Sequence, residues 1–226
     1  MRLLAISDIH GCLATFRQLL KTIDFSKKDQ LYLVGDFIDR GEDSKGVIDY
    51  IWELQKKGYT IRCLKGNHES ILVNGRKKGE DDPIWLHHGG KATLQSFKAT
   101  SSQTIPDAYV RWMDELPHYL EEGPYIFTHA GLNFETPNPL DNQYSMLWIR
   151  DWYDDINYNW LGNRIIVHGH TPIKKGELKK QFLNMPQTQY LDIDAGCVFS
   201  FRGLGHLCSV DLANRQLYFQ ARNSAV

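Results

Sequence analysis

Three short apolar runs constrain the fold more than any other feature of the chain. Leu3-Leu4-Ala5-Ile6, Leu31-Tyr32-Leu33-Val34 and Tyr59 to Leu64 have the length of strands, and each runs into a polar word carrying an acid or an amide. Between them the period changes. Leu13, Phe16, Leu19, Leu20 and Ile23 repeat at helix spacing, as do Val47, Ile48, Ile51 and Leu54 in a helix expected from about Ser44 to near Gly58. This is a βαβ succession and predicts an α/β fold with a mainly parallel sheet. Asp8 lies 28 residues before Asp36, and Asp36 lies 31 before Asn67. Each step is about one βαβ unit, so the three residues belong at equivalent strand ends.

Further strands are expected at Tyr125-Ile126-Phe127, Arg164 to Val167 and Tyr190 to Ile193. A closing hairpin is expected from Leu207 to Leu212 and Gln216 to Phe219 about a turn at Ala213-Asn214. From about residue 75 to 107 the pattern is lost in charge and polarity, which reads as an excursion with short helices capping one end of the sheet. No linker interrupts the rest, so residues 1–226 are expected to form one domain, with ordinary globular proportions of 42% hydrophobic and 23% charged residues.

Each expected strand ends in a short polar word. The words are Ser7-Asp8-Ile9-His10-Gly11, Gly35-Asp36-Phe37-Ile38-Asp39-Arg40-Gly41, Gly66-Asn67-His68-Glu69, Thr128-His129-Ala130-Gly131 and His168-Gly169-His170-Thr171-Pro172. In open α/β sheets ligands bind beyond the carboxyl ends of the strands, so five such words should converge. They offer carboxylate, amide oxygen and imidazole without thiolate, which suits Mn2+, Fe or Zn2+ better than a structural zinc site or an all-oxygen Ca2+ or Mg2+ cage. Six ligands are too many for one ion. With a central carboxylate able to bridge, they point to two divalent ions, Mn2+ first among them, about 3.5–4 Å apart.

Together these words resemble the metallophosphoesterase signature, and the full Gly-Asp-x-x-Asp-Arg-Gly form resembles its phosphoprotein phosphatase branch of compact bacterial and phage type. The match runs in order from residue 8 to residue 172. The resemblance implies a calcineurin-like fold, a βαβ-built β-sandwich flanked by helices. It also implies that Asp8 and His10 hold a first metal, that Asp36 bridges, and that Asn67, His129 and His170 complete a second. Arg40 matches the arginine that grips phosphate, with Asn67 beside it, and Arg150 in Leu147-Trp148-Ile149-Arg150 matches a second phosphate arginine. Asp39 and His68 match an acid dyad. Where many relatives carry a further histidine after His170, this chain has Pro172, as the phosphatase branch also lacks it.

The chemistry follows from the groups. Two divalent cations neutralise phosphoryl charge and generate a bridging hydroxide that attacks phosphorus directly. A guanidinium grips two phosphate oxygens at once, and a protonated His68 held by Asp39 serves the departing alkoxide. The expected activity is hydrolysis of phosphoserine and phosphothreonine, with phosphotyrosine as a further substrate, in phosphorylated proteins or peptides. The alternatives are a symmetrical diadenosine tetraphosphate hydrolase, in which an apolar residue typically replaces Asp39, and a silent metal-binding module.

Composition bears on partners. With 26 Lys and Arg against 27 Asp and Glu, the charge of −1 gives no bulk attraction to nucleic acid or to an anionic membrane. No apolar run approaches the roughly 18 residues that span a bilayer, and the N-terminal run meets Ser7-Asp8 too soon for a signal peptide, so a cytoplasmic protein is expected. Cys12, Cys63, Cys197 and Cys208 form no Cys-x-x-Cys pair, and reduced thiols are expected. The oligomeric state is not legible. His87, His88 and His168 carry no assigned role, although His168 falls where a packing residue is expected. Trp148, Trp152, Tyr153, Tyr158 and Trp160 read as core or cleft wall.

Overall fold

The computed structural model describes residues 1–223. The elements in chain order are β1 (Leu3–Ile6), α1 (Leu13–Thr22), β2 (Gln30–Leu33), α2 (Ser44–Lys56), β3 (Thr60–Cys63) and α3 (Asn67–Lys78). Short helical pieces follow as α4 (Pro83–Trp85), α5 (Lys91–Phe97) and α6 (Asp107–Glu115), with a kink at Gly89 between the first two. The second half contains β4 (Tyr119–Glu122), β5 (Tyr125–Thr128), α7 (Gln143–Trp148), α8 (Tyr158–Leu161), β6 (Ile165–His168), α9 (Lys175–Thr188), β7 (Tyr190–Asp192), β8 (His206–Asp211) and β9 (Gln216–Ala221).

Two sheets result. One has the order β3-β2-β1-β8-β9 and the other β4-β5-β6-β7. Each contains three parallel strands, β3-β2-β1 and β5-β6-β7, and antiparallel strands complete the edges. The continuous apolar runs reflect burial on both faces. Ala5 and Tyr32 meet Phe127, Val167 and Leu191 in the layer between the sheets, and Tyr32 stacks on Phe127 with ring centroids 4.3 Å apart. The alternate residues Leu4, Ile6, Leu31 and Leu33 face the helices, packing with Phe16, Leu19, Val47 and Ile51. Ile126 and Ile166 face outward from the second sheet onto Met146, Trp152 and Leu161. The expected helix-flanked β-sandwich is therefore present, built from two sheets.

The βαβ reading locates the first elements to within a residue or two, and the closing hairpin forms as expected. Several elements have no sequence expectation, three of them for physical reasons that can be read off. Strand β4, Tyr-Leu-Glu-Glu, has no sequence expectation because it is an edge strand whose charged residues suppress the apolar signal. Helix α9 is Lys-rich with Pro186 in its last turn, a residue that ordinarily marks a helix boundary. Helix α6 buries only Val110 and Met113 fully, so its stripe is short. The segment from 75 to 107 lies against α2 and α3, with Trp85 in the main core. No helix among the described residues is long and apolar enough to cross a membrane.

An ion pair ties the start of β1 to the turn before β2. Arg2 donates from Nε and Nη2 to the two carboxylate oxygens of Asp29 at 2.9 and 2.7 Å, and Ser26 donates its N–H and hydroxyl to the same carboxylate. The Arg2 guanidinium holds the largely buried Asp29 carboxyl down at about 2. A depressed carboxyl stabilises the fold above its unfolded pKa of about 3.9, and the contribution is lost as pH falls from there through about 2. Asp29→Asn is expected to cost about 1–3 kcal/mol at pH 7 in urea unfolding. The gap should narrow as the pH is lowered from 4 towards 2, and a gap indifferent to pH would rule out the ion pair as its source.

Candidate metal centre

The five polar words meet at one end of the sandwich. Asp8 and His10 follow β1, Asp36, Asp39 and Arg40 follow β2, and Asn67 and His68 open α3 directly after β3. His129 follows β5 and His170 follows β6. All but Arg40 are buried. The backbone there is unusual for residues with side chains: Asp8, His10, Asp36, Asp39, Arg40 and His170 all have φ between +46° and +74°. Left-handed conformations at non-glycine positions cost of order 1–3 kcal/mol each and cluster at functional sites. Glycine is needed where the chain comes closest. A Cβ on Gly66 would stand 2.1 Å from Asp36 Oδ1, and one on Gly169 would stand 2.1 Å from Asp8 Oδ2.

Hydrogen bonding fixes which atoms face inward. His10 and His129 each donate from Nδ1 to a backbone carbonyl, Ile38 O and Val34 O, both at 2.8 Å. Each Nε2 therefore presents a lone pair to the site. His129 Nε2 lies 2.9 Å and His170 Nδ1 3.0 Å from Asn67 Oδ1, while His170 Nε2 has no hydrogen-bond partner among the described residues. Asp36 stands between two clusters, with Oδ1 3.5 Å from His129 Nε2 and Oδ2 3.5 Å from His10 Nε2. Two groups of donors close enough to share an ion result, His10-Asp36-His68 and Asp36-His129-His170.

With Nδ1 of His129 donating to Val34 O, the lone pairs of its Nε2 and of Asn67 Oδ1 face each other at 2.9 Å and repel unless a cation lies beside them. The donor set of oxygen and imidazole fits divalent transition metals. Its electrostatics agree. Burial holds the His170 imidazole down at about 3 and that of His10 well below its ordinary value, so both stay neutral, the ligating form. Burial opposes the charge on Asp36, but the His129 and His68 imidazoles beside it outweigh burial and hold that carboxyl well below the usual range. The backbone N–H of His68, in the first turn of α3, donates to Asp36 Oδ1 at 3.1 Å. Asp8 lies outside both groups. Its Oδ2 accepts the His170 N–H at 3.1 Å, and burial beside Asp36 pushes its carboxyl up despite His129.

His68 and Asp39 form a pair. Asp39 Oδ2 accepts from His68 Nδ1 at 2.6 Å, so His68 Nε2 faces the site. Burial alone would lower the His68 imidazole, but the Asp36 and Asp39 carboxylates raise it above its ordinary value. Arg40 donates to His10 Nε2 at 2.6 Å and to His68 Nε2 at 2.9 Å, which places its guanidinium across the mouth of the site. A guanidinium can only donate, so both nitrogens are acceptors in this arrangement. Arg150 is exposed and donates to Thr171 Oγ1 at 2.7 Å, next to His170. His87 and His88 are exposed. His168 is buried at the end of β6, against Trp152 and Tyr153, and burial lowers it to about 4. Of the aromatic stretch, Trp152 is core, whereas Trp148 lies edge-on to His170 at 6.3 Å.

One residue organising the site has no sequence expectation. Glu69 is fully buried and accepts four backbone N–H groups, from Asp36 at 3.0 Å, Phe37 at 2.8 Å, Ile38 at 3.3 Å and Gly66 at 2.9 Å. Burial beside Asp36 pushes its carboxyl up to about 7, while the four donors favour the ionised form. The acid three residues after Gly66 at a helix start is the signal that could have found it.

The family model described as calcineurin-like phosphoesterase matches residues 1–200. The asymmetrical bis(5'-nucleosyl)-tetraphosphatase PrpE of Bacillus velezensis is 26% identical over 223 residues, covering 86% of this chain and 84% of its own. A serine/threonine phosphatase of Saccharomyces cerevisiae superposes with a TM-score of 0.70 at 15% identity, covering all of this chain and 81% of its own. A metallophosphoesterase of Sphaerobacter thermophilus does so with a TM-score of 0.61 at 15% identity, covering 100% and 90%. These two likenesses concern the fold.

Proposed function

We propose, from the premise that the chain belongs to the calcineurin-like phosphoesterase family, that it is a metal-dependent phosphomonoesterase acting on phosphoserine and phosphothreonine in proteins. Asp8 and His10 would hold one ion, Asn67, His129 and His170 a second, and Asp36 both. When bound, such a pair supplies Lewis-acid activation of water and offsets the charge that builds on the phosphoryl group. Arg40 turns from His10 and His68 to grip phosphate oxygens bidentately, with Asn67 and Arg150 as further contacts. His68, oriented through Nδ1 by Asp39, delivers a proton from Nε2 to the departing alkoxide.

The observation that carries this reading is the 2.6 Å contact between His68 Nδ1 and Asp39 Oδ2. Serine and threonine alkoxides are strong bases and leave poorly without a proton. A nucleotide phosphate leaves as a weakly basic anion and gains little from an acid. Hydrolysis of dinucleoside tetraphosphates is the second reading, supported by the name of the PrpE relative.

The two separate in one experiment, in which the purified protein with Mn2+ is offered a phosphoserine peptide, a phosphotyrosine peptide or diadenosine tetraphosphate. A higher kcat/KM for the phosphoserine peptide is expected, and selective turnover of the dinucleotide would reverse the order. Elemental analysis of the same sample should find two equivalents of divalent metal per chain, Mn2+ before Fe or Zn2+. Metal without turnover of any substrate would indicate a silent module.

A further inference from the structure

The geometry points to Trp85 and Thr93 as positioning residues that hold the Asp39 carboxylate against His68. The inference rests on the proposed acid role of that pair. The torsion that turns a carboxylate about its last bond is broad and two-fold, so one hydrogen bond to His68 leaves Asp39 free to swing. Both of its oxygens are held from a second side. The indole Nε1 of Trp85 donates to Oδ2 at 2.9 Å, the oxygen that also accepts from His68 Nδ1, and the Thr93 hydroxyl donates to Oδ1 at 2.5 Å.

Thr93 clamps Asp39 at a second point as well. Its Oγ1 accepts the Asp39 backbone N–H at 2.9 Å, and the Ser44 hydroxyl accepts the same N–H at 3.0 Å. That backbone is left-handed, with φ of +72°, a conformation an aspartate keeps only when its surroundings fix it. Asp39 and Thr93 are fully buried and Trp85 is 1% exposed, so water cannot replace either donor.

The indole is itself fixed from behind. A Cβ on Gly90 would stand 2.4 Å from Trp85 Cε2, which shows how closely backbone and ring approach. The preceding Gly89 carbonyl accepts the Arg40 N–H at 3.2 Å. The segment from 83 to 97 therefore holds the acid pair through two side chains and the phosphate-gripping arginine through its backbone.

A positioning role is separable from a merely structural one by the leaving group. Phenyl phosphate expels a basic phenolate that needs the proton, whereas 4-nitrophenyl phosphate expels a stabilised one that hardly does. In the full, Mn2+-loaded protein, Trp85→Phe is expected to lower kcat for phenyl phosphate about 10-fold or more, since small misplacements of a catalytic group are costly. Its KM for phenyl phosphate, its metal content and its kcat for 4-nitrophenyl phosphate should stay within about 3-fold, well inside that loss. Thr93→Val should behave likewise and Thr93→Ser should recover the rate, and this pair decides the matter if Trp85→Phe does not fold.

His68→Asn serves as the control. If it shows the leaving-group dependence but Trp85→Phe and Thr93→Val slow both substrates equally, the two residues are structural and the proposal is overturned alone. If His68→Asn itself slows both substrates equally, the acid reading falls and this proposal with it.

Discussion

His68→Asn is expected to lower kcat for a phosphoserine peptide by about 10²–10⁴-fold while the protein retains both metal equivalents. The second half of that expectation is the discriminating one. His68 belongs by distance to a donor group with His10 and Asp36, its Nε2 lying 3.9 Å from Asp36 Oδ2, so geometry alone permits it to be a ligand. Its bond to Asp39 orients the imidazole for either role. Asp39 is fully buried, also receives N–H and O–H from Trp85 and Thr93, and orients the imidazole with Nδ1 engaged.

A metal ligand with a carboxylate behind it shows the same pattern, so activity cannot decide between the roles. Metal content can, because removal of a ligand typically weakens affinity where removal of an acid does not. Kinetics and elemental analysis on one preparation give the answer. Loss of activity with a full metal complement supports the acid, and loss of one equivalent would make His68 a ligand. Asp36→Asn is the complementary case, expected to remove metal and activity together because Asp36 belongs to both donor groups.

The position of the words carrying the candidate ligands was legible because each sits at the end of an apolar run, where strand length and βαβ spacing fix its place in the fold. Asp8, Asp36 and Asn67 needed only the 28- and 31-residue steps to be placed side by side. What supports those words was not legible. Trp85 and Thr93 stand 46 and 54 residues from the carboxylate they hold, in a stretch whose charges and turns carry no period. Nothing local distinguishes an indole that donates to a buried acid from one that packs in a core. The same limit applies to β4, whose pairing with β5 and not its own sequence makes it a strand. Sequence pattern reports burial and period, while hydrogen-bond partners across the fold are set by tertiary contacts that a linear pattern does not encode.

Glu69 shows how far the site depends on such a partner. Glu69→Gln keeps the side-chain shape and removes the charge, yet it is expected to destabilise the protein by about 2–5 kcal/mol. Each carboxylate oxygen accepts two backbone N–H groups, Oε2 those of Asp36 and Gly66 and Oε1 those of Phe37 and Ile38. A glutamine amide has one acceptor end and one donor end. Whichever way it turns, its NH2 meets two N–H groups that have no water to turn to.

The loop carrying Asp36 and the start of α3 carrying Asn67 are joined by this one carboxylate, so the loss should reach the metal as well. Urea unfolding of the metal-stripped protein isolates the first effect. Metal titration of the folded variant measures the second, expected as weaker binding by about 10-fold or more, the scale of lost support behind metal ligands. A Glu69→Gln variant as stable as the parent would mean that these N–H groups find other acceptors. Glu69 would then be packing, and the left-handed backbone at Asp36 would have to be held from elsewhere.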